Sequence, residues 1–283
     1  MSNLVISVLA YLIDKVFGEF KFIKHPIIFV GDLISFFEKK FYKDSILRGL
    51  FLVLFILFSV ALLSTSIFYL LSLLPFYINI IFTSILASMF IAHKMLHDVV
   101  KDILSADNKK EAISMLVSRD TKDMSPSDIN KAAIETYAEN LSDGVIAPVF
   151  YLLLFNLPGI ILYKAINTMD SMVGYRNEKY ENYGKVAAIL DDIVNYLPSR
   201  LTAVLIMLVS SKKNIFSFYK DGKKHESPNA GHPITAMALA LDIKLGGDTS
   251  YFGKIKSKPY FGEGRKEIQD EDVLRALDLL KPF

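Results

Sequence analysis

From Gly49 to Ala92 the chain runs 44 residues without an Asp, Glu, Lys or Arg. A bilayer core of about 30 Å takes about 20 apolar residues per helix, so this stretch is long enough to cross it twice. A second charge-free run covers the 20 residues from Gly144 to Tyr163. The chain therefore reads as an all-α, polytopic integral membrane protein. Its 283 residues carry 32 basic and 30 acidic side chains, a balance that leaves no electrostatic footprint for a nucleic acid. There is no cysteine, which excludes disulfides, thiolate nucleophiles and thiolate metal sites.

The whole chain, 1–283, reads as one membrane-embedded domain. Residues 4–17 form a short apolar first helix, embedded or interfacial. No basic region precedes it and no small-residue cleavage site follows, so it is expected to stay attached. Residues 18–48 read as a basic connector. Residues 49–92 form a transmembrane hairpin: Gly49–Leu74 gives roughly 39 Å of helix, Pro75 breaks it, and Phe76–Ala92 returns. Both flanking connectors, 18–48 and 93–143, then lie on one side. They carry six and seven Lys/Arg and the hairpin turn none, which places them in the cytoplasm. Residues 94–117 show a helical stripe (Leu96, Val99 or Val100, Ile103), and Ser125-Pro126 with Asp128 forms a capping box.

Residues 144–211 are harder to thread. Leu201–Ser211 offers only 11 residues for a return crossing, roughly 16 Å of helix. Pro148 and Pro158-Gly159 interrupt the apolar run, as in a broken or re-entrant segment. The expectation is a re-entrant segment with the flanking polar stretches on the cytoplasmic side. Residues 212–283 read as a cytoplasmic segment, Gly-rich over 246–264 and ending in an amphipathic helix at about 267–280.

Three polar stretches adjoin these apolar helices. In the first, 118–148, Glu135 and Glu139 share a helix face at i,i+4, and Asp143 follows. Like charges so placed destabilise a helix unless a cation lies between them, and Mg²⁺ binds through one or two carboxylates with phosphate oxygens. A solvated helix face is the plainer alternative. In the second, 167–200, Asn167 and Asp170 precede Asp191, Asp192 and Asn195, flanked by Arg176 and Arg200. Arginine is scarce, six against 26 lysines, yet Arg119, Arg176 and Arg200 sit in these stretches. A planar guanidinium suits phosphate or carboxylate, and structural Arg–Asp pairing is the equal alternative. The third, HESPNAGHP (225–233), is a rigid turn whose histidines lack a helical metal spacing. Its histidines, and His25, His93 and His97, read as turn, capping or interfacial residues. No Walker-A or GxGxxG loop is present, and Gly246-Gly247 alone is weak evidence for a phosphate cradle.

Taken together, Asp14…Gly18…His25-Pro26…Gly31, SRDT (118–121), ETYAENLSDGVIAPVF (135–150), NTMDSMVGYRNEKY (167–180), the LDD…LPSRLTA run (190–203), SPNAGHP (227–233) and LGG…Tyr251-x-Gly253…Pro259…Gly262 resemble, in collinear order, the adenosylcobinamide-phosphate synthase family of cobalamin biosynthesis. Departures are Gly18-Glu19-Phe20 in place of Gly-Asp-Pro, Ile113 in place of Arg, and His232 in place of Trp. None touches the acidic motifs, so they bear on substrate detail.

The resemblance implies an ATP-dependent amide ligase joining adenosylcobyric acid to (R)-1-aminopropan-2-ol or its O-phosphate. It also implies a multi-pass protein of the cell membrane with its motifs facing the cytoplasm, working beside other cobalamin-assembly membrane enzymes. Within its motifs the expected metal ligands for Mg²⁺ are Glu135, Glu139 and Asp143. Arg119, Asp120, Asn140, Asn167, Asp170, Asn177, Arg200 and Asn229 are expected to bind ATP or substrate. Asp191, Asp192 and Arg176 are expected to be catalytic, an aspartate orienting or deprotonating the amine and Arg176 holding phosphate. A cleft lined by Tyr137, Tyr175, Tyr180 and Tyr183 would suit the flat corrinoid. Competing readings are a non-catalytic membrane sensor or assembly subunit, an Mg-dependent intramembrane prenyltransferase, and a transporter. The prenyltransferase would want Asp where Asn195 stands, and a transporter would want an inverted repeat.

Overall fold

The computed structural model describes residues 2–20, 24–175, 177–251 and 253–279. Helices come first: α1 (Ser2–Phe17), α2 (Pro26–Phe41), α3 (Ile46–Ser72), α4 (Phe76–Ser88), α5 (His93–Ser105), α6 (Lys109–Ser114) and α7 (Pro126–Leu141). A π-helical turn, Ser142–Ile146, joins α7 to α8 (Ala147–Val173), and α9 (Lys185–Val209), α10 (Phe218–Gly222) and α11 (Gly231–Leu241) follow. Two antiparallel ribbons, β1 (Leu245–Gly246) with β4 (Tyr260–Phe261) and β2 (Thr249–Tyr251) with β3 (Lys254–Lys256), precede α12 (Asp270–Asp278). The all-α expectation holds apart from these ribbons. Four helical stretches are long and apolar enough to cross a membrane: Ile46–Ser72, Phe76–Ser105, Pro126–Val173 and Lys185–Val209. The chain divides into two compact units, Met1–Lys94 with Ala147–Asn195, and Met95–Ile146 with Tyr196–Phe283.

In the first unit α3 buries Leu52, Val53, Ile56 and Val60, spaced along one face, against α2 and α8. Its opposite face exposes Leu54, Phe58 and Leu62. A helix apolar all round needs lipid on the side that protein leaves bare. The hairpin α3–α4 turns at 73–75, as the sequence indicates. The stretch read as a connector, 18–48, instead contains α2. The reason is legible afterwards: His25 caps the helix through Nδ1 to the Ile27 N–H (3.1 Å), Pro26 occupies its first turn, and Val30, Ile34 and Phe37 recur on one buried face. Its lysines fall outside that face, so charge masked the period. At the end of α1, buried Asp14 accepts the backbone N–H of His93 (2.8 Å), satisfying the start of α5.

Helix α8 is not straight. Tyr151 and Tyr163 stack with ring centroids 5.1 Å apart, although 12 residues of unbroken helix would separate them by roughly 18 Å. A Cβ on Gly159 would lie 2.5 Å from the Tyr151 carbonyl oxygen. The chain reverses at Asn156, whose backbone is non-helical at φ 56°, ψ −154°. Its side chain accepts the Leu157 N–H (2.6 Å) and donates to Asn3 (2.8 Å), while Asn3 donates to the Leu153 carbonyl (3.1 Å). Backbone groups freed by the break are thus met by amides, the condition for irregular chain at membrane depth.

The segment expected to be broken or re-entrant is broken, folding back as a helical hairpin about Asn156 rather than about the prolines. Its outgoing arm leads to residues 174–184, which sit beside the end of α2. Tyr42 donates to the Lys179 carbonyl (2.8 Å), and Glu38 accepts from Tyr180 (2.9 Å) and pairs with Lys179 (2.6 Å). One expectation is corrected. Leu201–Ser211 is not a separate 11-residue element, because Leu201–Val209 is the end of α9, which runs 25 residues through Asp191, Asp192 and Arg200. Counting only uncharged residues shortened it.

In the second unit α11 is almost wholly buried, and α7, α10 and α12 pack on it. The capping box at Ser125 forms as expected, and Leu96, Val100 and Ile103 are the buried stripe of α5. Asp272, fully buried at the start of α12, is held by Arg265, whose Nη2 donates to both carboxylate oxygens (2.6 and 2.7 Å).

Two predictions follow from the first unit. Single cysteines at 178 and at 44, in this cysteine-free chain, should react with an impermeant maleimide from the same membrane face if the hairpin re-enters. Reaction of the two from opposite faces would rule out the re-entrant hairpin. Asn156→Ala should be roughly 1–3 kcal/mol less stable in detergent than Asn156→Gly, since only glycine adopts that backbone without strain. Equal melting of the two variants would remove the strained reversal.

Candidate functional site

One buried carboxylate organises the polar face of the second unit. Glu135, on the inner face of α7, accepts a hydrogen bond from Arg119 Nη2 through Oε2 (2.5 Å) and from the backbone N–H of Gly246 through Oε1 (2.6 Å). Both partners of the ion pair are largely buried. Burial opposes the guanidinium charge of Arg119, but the Glu135 carboxylate outweighs it and holds the Arg119 pKa above its ordinary value. Gly246 has φ +75°, and a Cβ there would stand 2.3 Å from the Pro259 carbonyl oxygen. Only glycine lets β1 approach the 259–261 strand this closely while presenting its N–H to Glu135.

Arg119 is delivered by the 118–121 loop, which Asp120 fastens to the β2–β3 ribbon. Asp120 Oδ2 accepts from Ser250 Oγ (2.6 Å) and the Gly253 N–H (2.8 Å), and its own N–H donates to the Ser250 carbonyl (3.0 Å). A cavity of about 220 Å³ opens beside Arg119 and Glu135. Glu139, one turn along α7, Thr136, Tyr251, Lys258 and His225 complete its polar lining. His225 is a turn residue, its Nδ1 accepting the Ser227 N–H (3.0 Å), and burial pushes its imidazole pKa below the usual value.

The other expected residues fall elsewhere. Asp191 is buried in the first unit, accepting from Asn195 (3.0 Å) and Asn167 (3.5 Å), while Asn195 also accepts from Tyr163 (2.8 Å). Asp170 folds back against Gly174 on the same unit. Asp192 lines a separate cavity of about 200 Å³ with Tyr175, Tyr180 and Lys185. Asn177 is a turn residue whose side chain accepts from Lys179 and Tyr180 N–H. Asn140 is exposed and donates to the Thr136 carbonyl (3.0 Å). Arg176 lies outside the described residues.

Arg200 meets an amide and a backbone carbonyl where an Arg–Asp pair or an anion is expected. It donates to Asn229 (2.8 Å) and the Pro228 carbonyl (2.9 Å) and stacks on Tyr196 at 3.7 Å, pinning the SPNAGHP turn. One further expectation is corrected. Tyr137 and Tyr183 are fully buried core residues, so only Tyr175 and Tyr180 line a cavity. Of the three carboxylates expected to hold Mg²⁺, Glu135 meets Arg119 and Gly246, Glu139 lines the cavity, and Asp143 lies in the π-helical turn. No group of three or more His, Cys, Asp or Glu able to hold a metal occurs among the described residues. Glu139 and Asp143 are oxygen donors of the kind Mg²⁺ takes alongside phosphate.

The model of the CobD/Cbib protein family matches residues 7–280. The chain belongs to that family. Named relatives agree over nearly the whole length. The cobalamin biosynthesis protein CobD of Clostridium perfringens is 38% identical over 96% of this chain and 92% of its own. The probable cobalamin biosynthesis protein CobD of Pyrococcus furiosus is 38% identical over 95% and 90%. That of Methanococcus aeolicus is 40% identical over 87% and 85%. No solved structure matches the chain.

Three residues that line or build the cavity are outside the site set expected from sequence: Gly246, His225 and Lys258. Gly246 and Tyr251 lay within the quoted LGG…Tyr-x-Gly motif, so the signal existed. Lys258, one lysine among 26, carried none. Removing one partner of the buried pair should be costly: Arg119→Met should lower stability by roughly 3–5 kcal/mol, and Arg119→Met with Glu135→Leu should recover part of it. Thermal melts in detergent decide this, and an unchanged single variant would show the pair to be solvated.

Proposed function

We propose that this chain is a membrane-bound, ATP-dependent amide ligase of cobalamin biosynthesis. It joins the free propionate of adenosylcobyric acid to (R)-1-aminopropan-2-ol or its O-phosphate. The observation that supports this reading best is the Arg119–Glu135–Gly246 constellation at the edge of a charged cavity, in a chain whose relatives are named for cobalamin biosynthesis. A carboxylate resists attack until one oxygen becomes a leaving group, most simply by transfer of the terminal phosphoryl of ATP to give an acyl phosphate. The amine then attacks the acyl carbon, phosphate departs, and the nitrogen gives up a proton.

Such chemistry depends on positioning and charge neutralisation, with no nucleophilic side chain needed, as suits a chain without cysteine. Arg119, fixed by Glu135, holds phosphate oxygens. Asp120 keeps that arginine's loop on the ribbon, and Arg200 with Asn229 keeps the neighbouring turn in place. Glu139 and Asp143 would hold Mg²⁺, which would supply charge neutralisation. A carboxylate within reach of the amine takes its proton. The motifs face the cytoplasm, where ATP is supplied.

Detergent-solubilised protein given ATP, Mg²⁺, adenosylcobyric acid and either amine should yield the amide, read by mass spectrometry. Glu139→Ala should lower turnover by roughly 100-fold or more with melting unchanged. Absence of amide with both amines, from protein that melts cooperatively, would favour a non-catalytic sensor instead.

A further inference from the structure

The β4 side of the cavity carries a cation that the proposed reaction has not yet used. Lys258 is half-buried, and its Nζ donates to the Tyr251 hydroxyl (2.6 Å) and lies 4.7 Å from the centre of that ring. Among the described residues no carboxylate stands within ion-pair distance of it, whereas its neighbour Lys256 pairs with Glu226 at 2.7 Å. An ammonium drawn partly out of water against a neutral phenol is poised for an anion. Its position is built: Pro259 is held by the Gly247 N–H (3.1 Å), and the close approach at Gly246 ties that segment to the Glu135 constellation.

We infer that Lys258, steadied by Tyr251, and Arg119 form a phosphate subsite in this cavity, one that accepts a phosphomonoester or the terminal phosphate of a nucleotide. The size argues the same way. About 220 Å³ falls below the roughly 300–1,000 Å³ of pockets that enclose drug-sized ligands, so a phosphate with a few attached atoms fits and a corrinoid does not. Two reactants of the proposed ligase carry such a phosphate, the amine O-phosphate and ATP.

This inference rests on the ligase reading for the identity of the two candidate ligands, so it is tested by binding rather than by turnover. Calorimetry on the full chain in detergent would titrate aminopropanol O-phosphate, unphosphorylated aminopropanol and MgATP separately. Lys258→Met should weaken at least one phosphorylated ligand by roughly ten-fold or more, with Lys258→Arg restoring much of it. Tyr251→Phe, which removes only the hydroxyl, should weaken the same ligand less. Loss confined to the amine phosphate assigns the subsite to that substrate, and loss confined to MgATP assigns it to the nucleotide. Unchanged affinity for both in a Lys258→Met protein that melts normally overturns the subsite, as does wild-type protein that binds neither. Binding lost on substitution but without amide synthesis in the wild type would leave the subsite standing and remove the ligase.

Discussion

Glu135 is the contact on which the polar half of the molecule depends. Its two oxygens gather three segments distant in sequence: α7 itself, the 118–121 loop through Arg119, and the Gly-rich β1 through the Gly246 N–H. A carboxylate with so little exposure is tolerable only when both oxygens are met by strong donors. Here one is a guanidinium and the other a backbone amide. The consequence is a preorganised cation: Arg119 keeps its charge, its direction and an open cavity on one side. Were Glu135 merely one of a solvated pair with Glu139, none of these segments would be tied together.

The membrane-facing half depends on a different device, the reversal at Asn156. Lipid forbids unsatisfied backbone, so a helix that turns back inside an apolar segment has to cap its own broken ends. Asn156 does so with its side chain on the Leu157 N–H, and Asn3 from α1 closes the other side. The outgoing arm then runs along α3, and Tyr163 and Asn167 meet Asn195 and Asp191 of α9. Polar groups at this depth are expensive and usually functional. Here they also zip two helices together, which is one structural use for the NTMDS and LDD motifs.

The lipid-facing hairpin, the capping box at Ser125, the stripe of α5 and the broken nature of residues 144–163 were legible because each rests on a local pattern. Helix α2 was legible in principle, through its proline start and its Val30–Ile34–Phe37 period, but its lysines drew the eye to charge. Two things were not legible. The Glu135, Glu139, Asp143 spacing looks the same whether the carboxylates share a metal or one of them faces inward to an arginine 16 residues away. Likewise Arg200 and Arg119 look alike in sequence, and only their partners separate a turn pin from a cavity cation.

The sequence by itself determined that the chain lives in a bilayer, since 44 uncharged residues have no other stable solvent. It also determined the family, whose model matches residues 7–280. Tertiary structure alone decided what the motif residues meet. It placed Lys258 at the cavity, buried Tyr137 and Tyr183, and set Glu135 against Arg119 and Gly246. The physical reason is that a side chain's role is set by what stands opposite it, and for this chain the opposing groups arrive from segments more than a hundred residues apart, as Glu135 and Gly246 do.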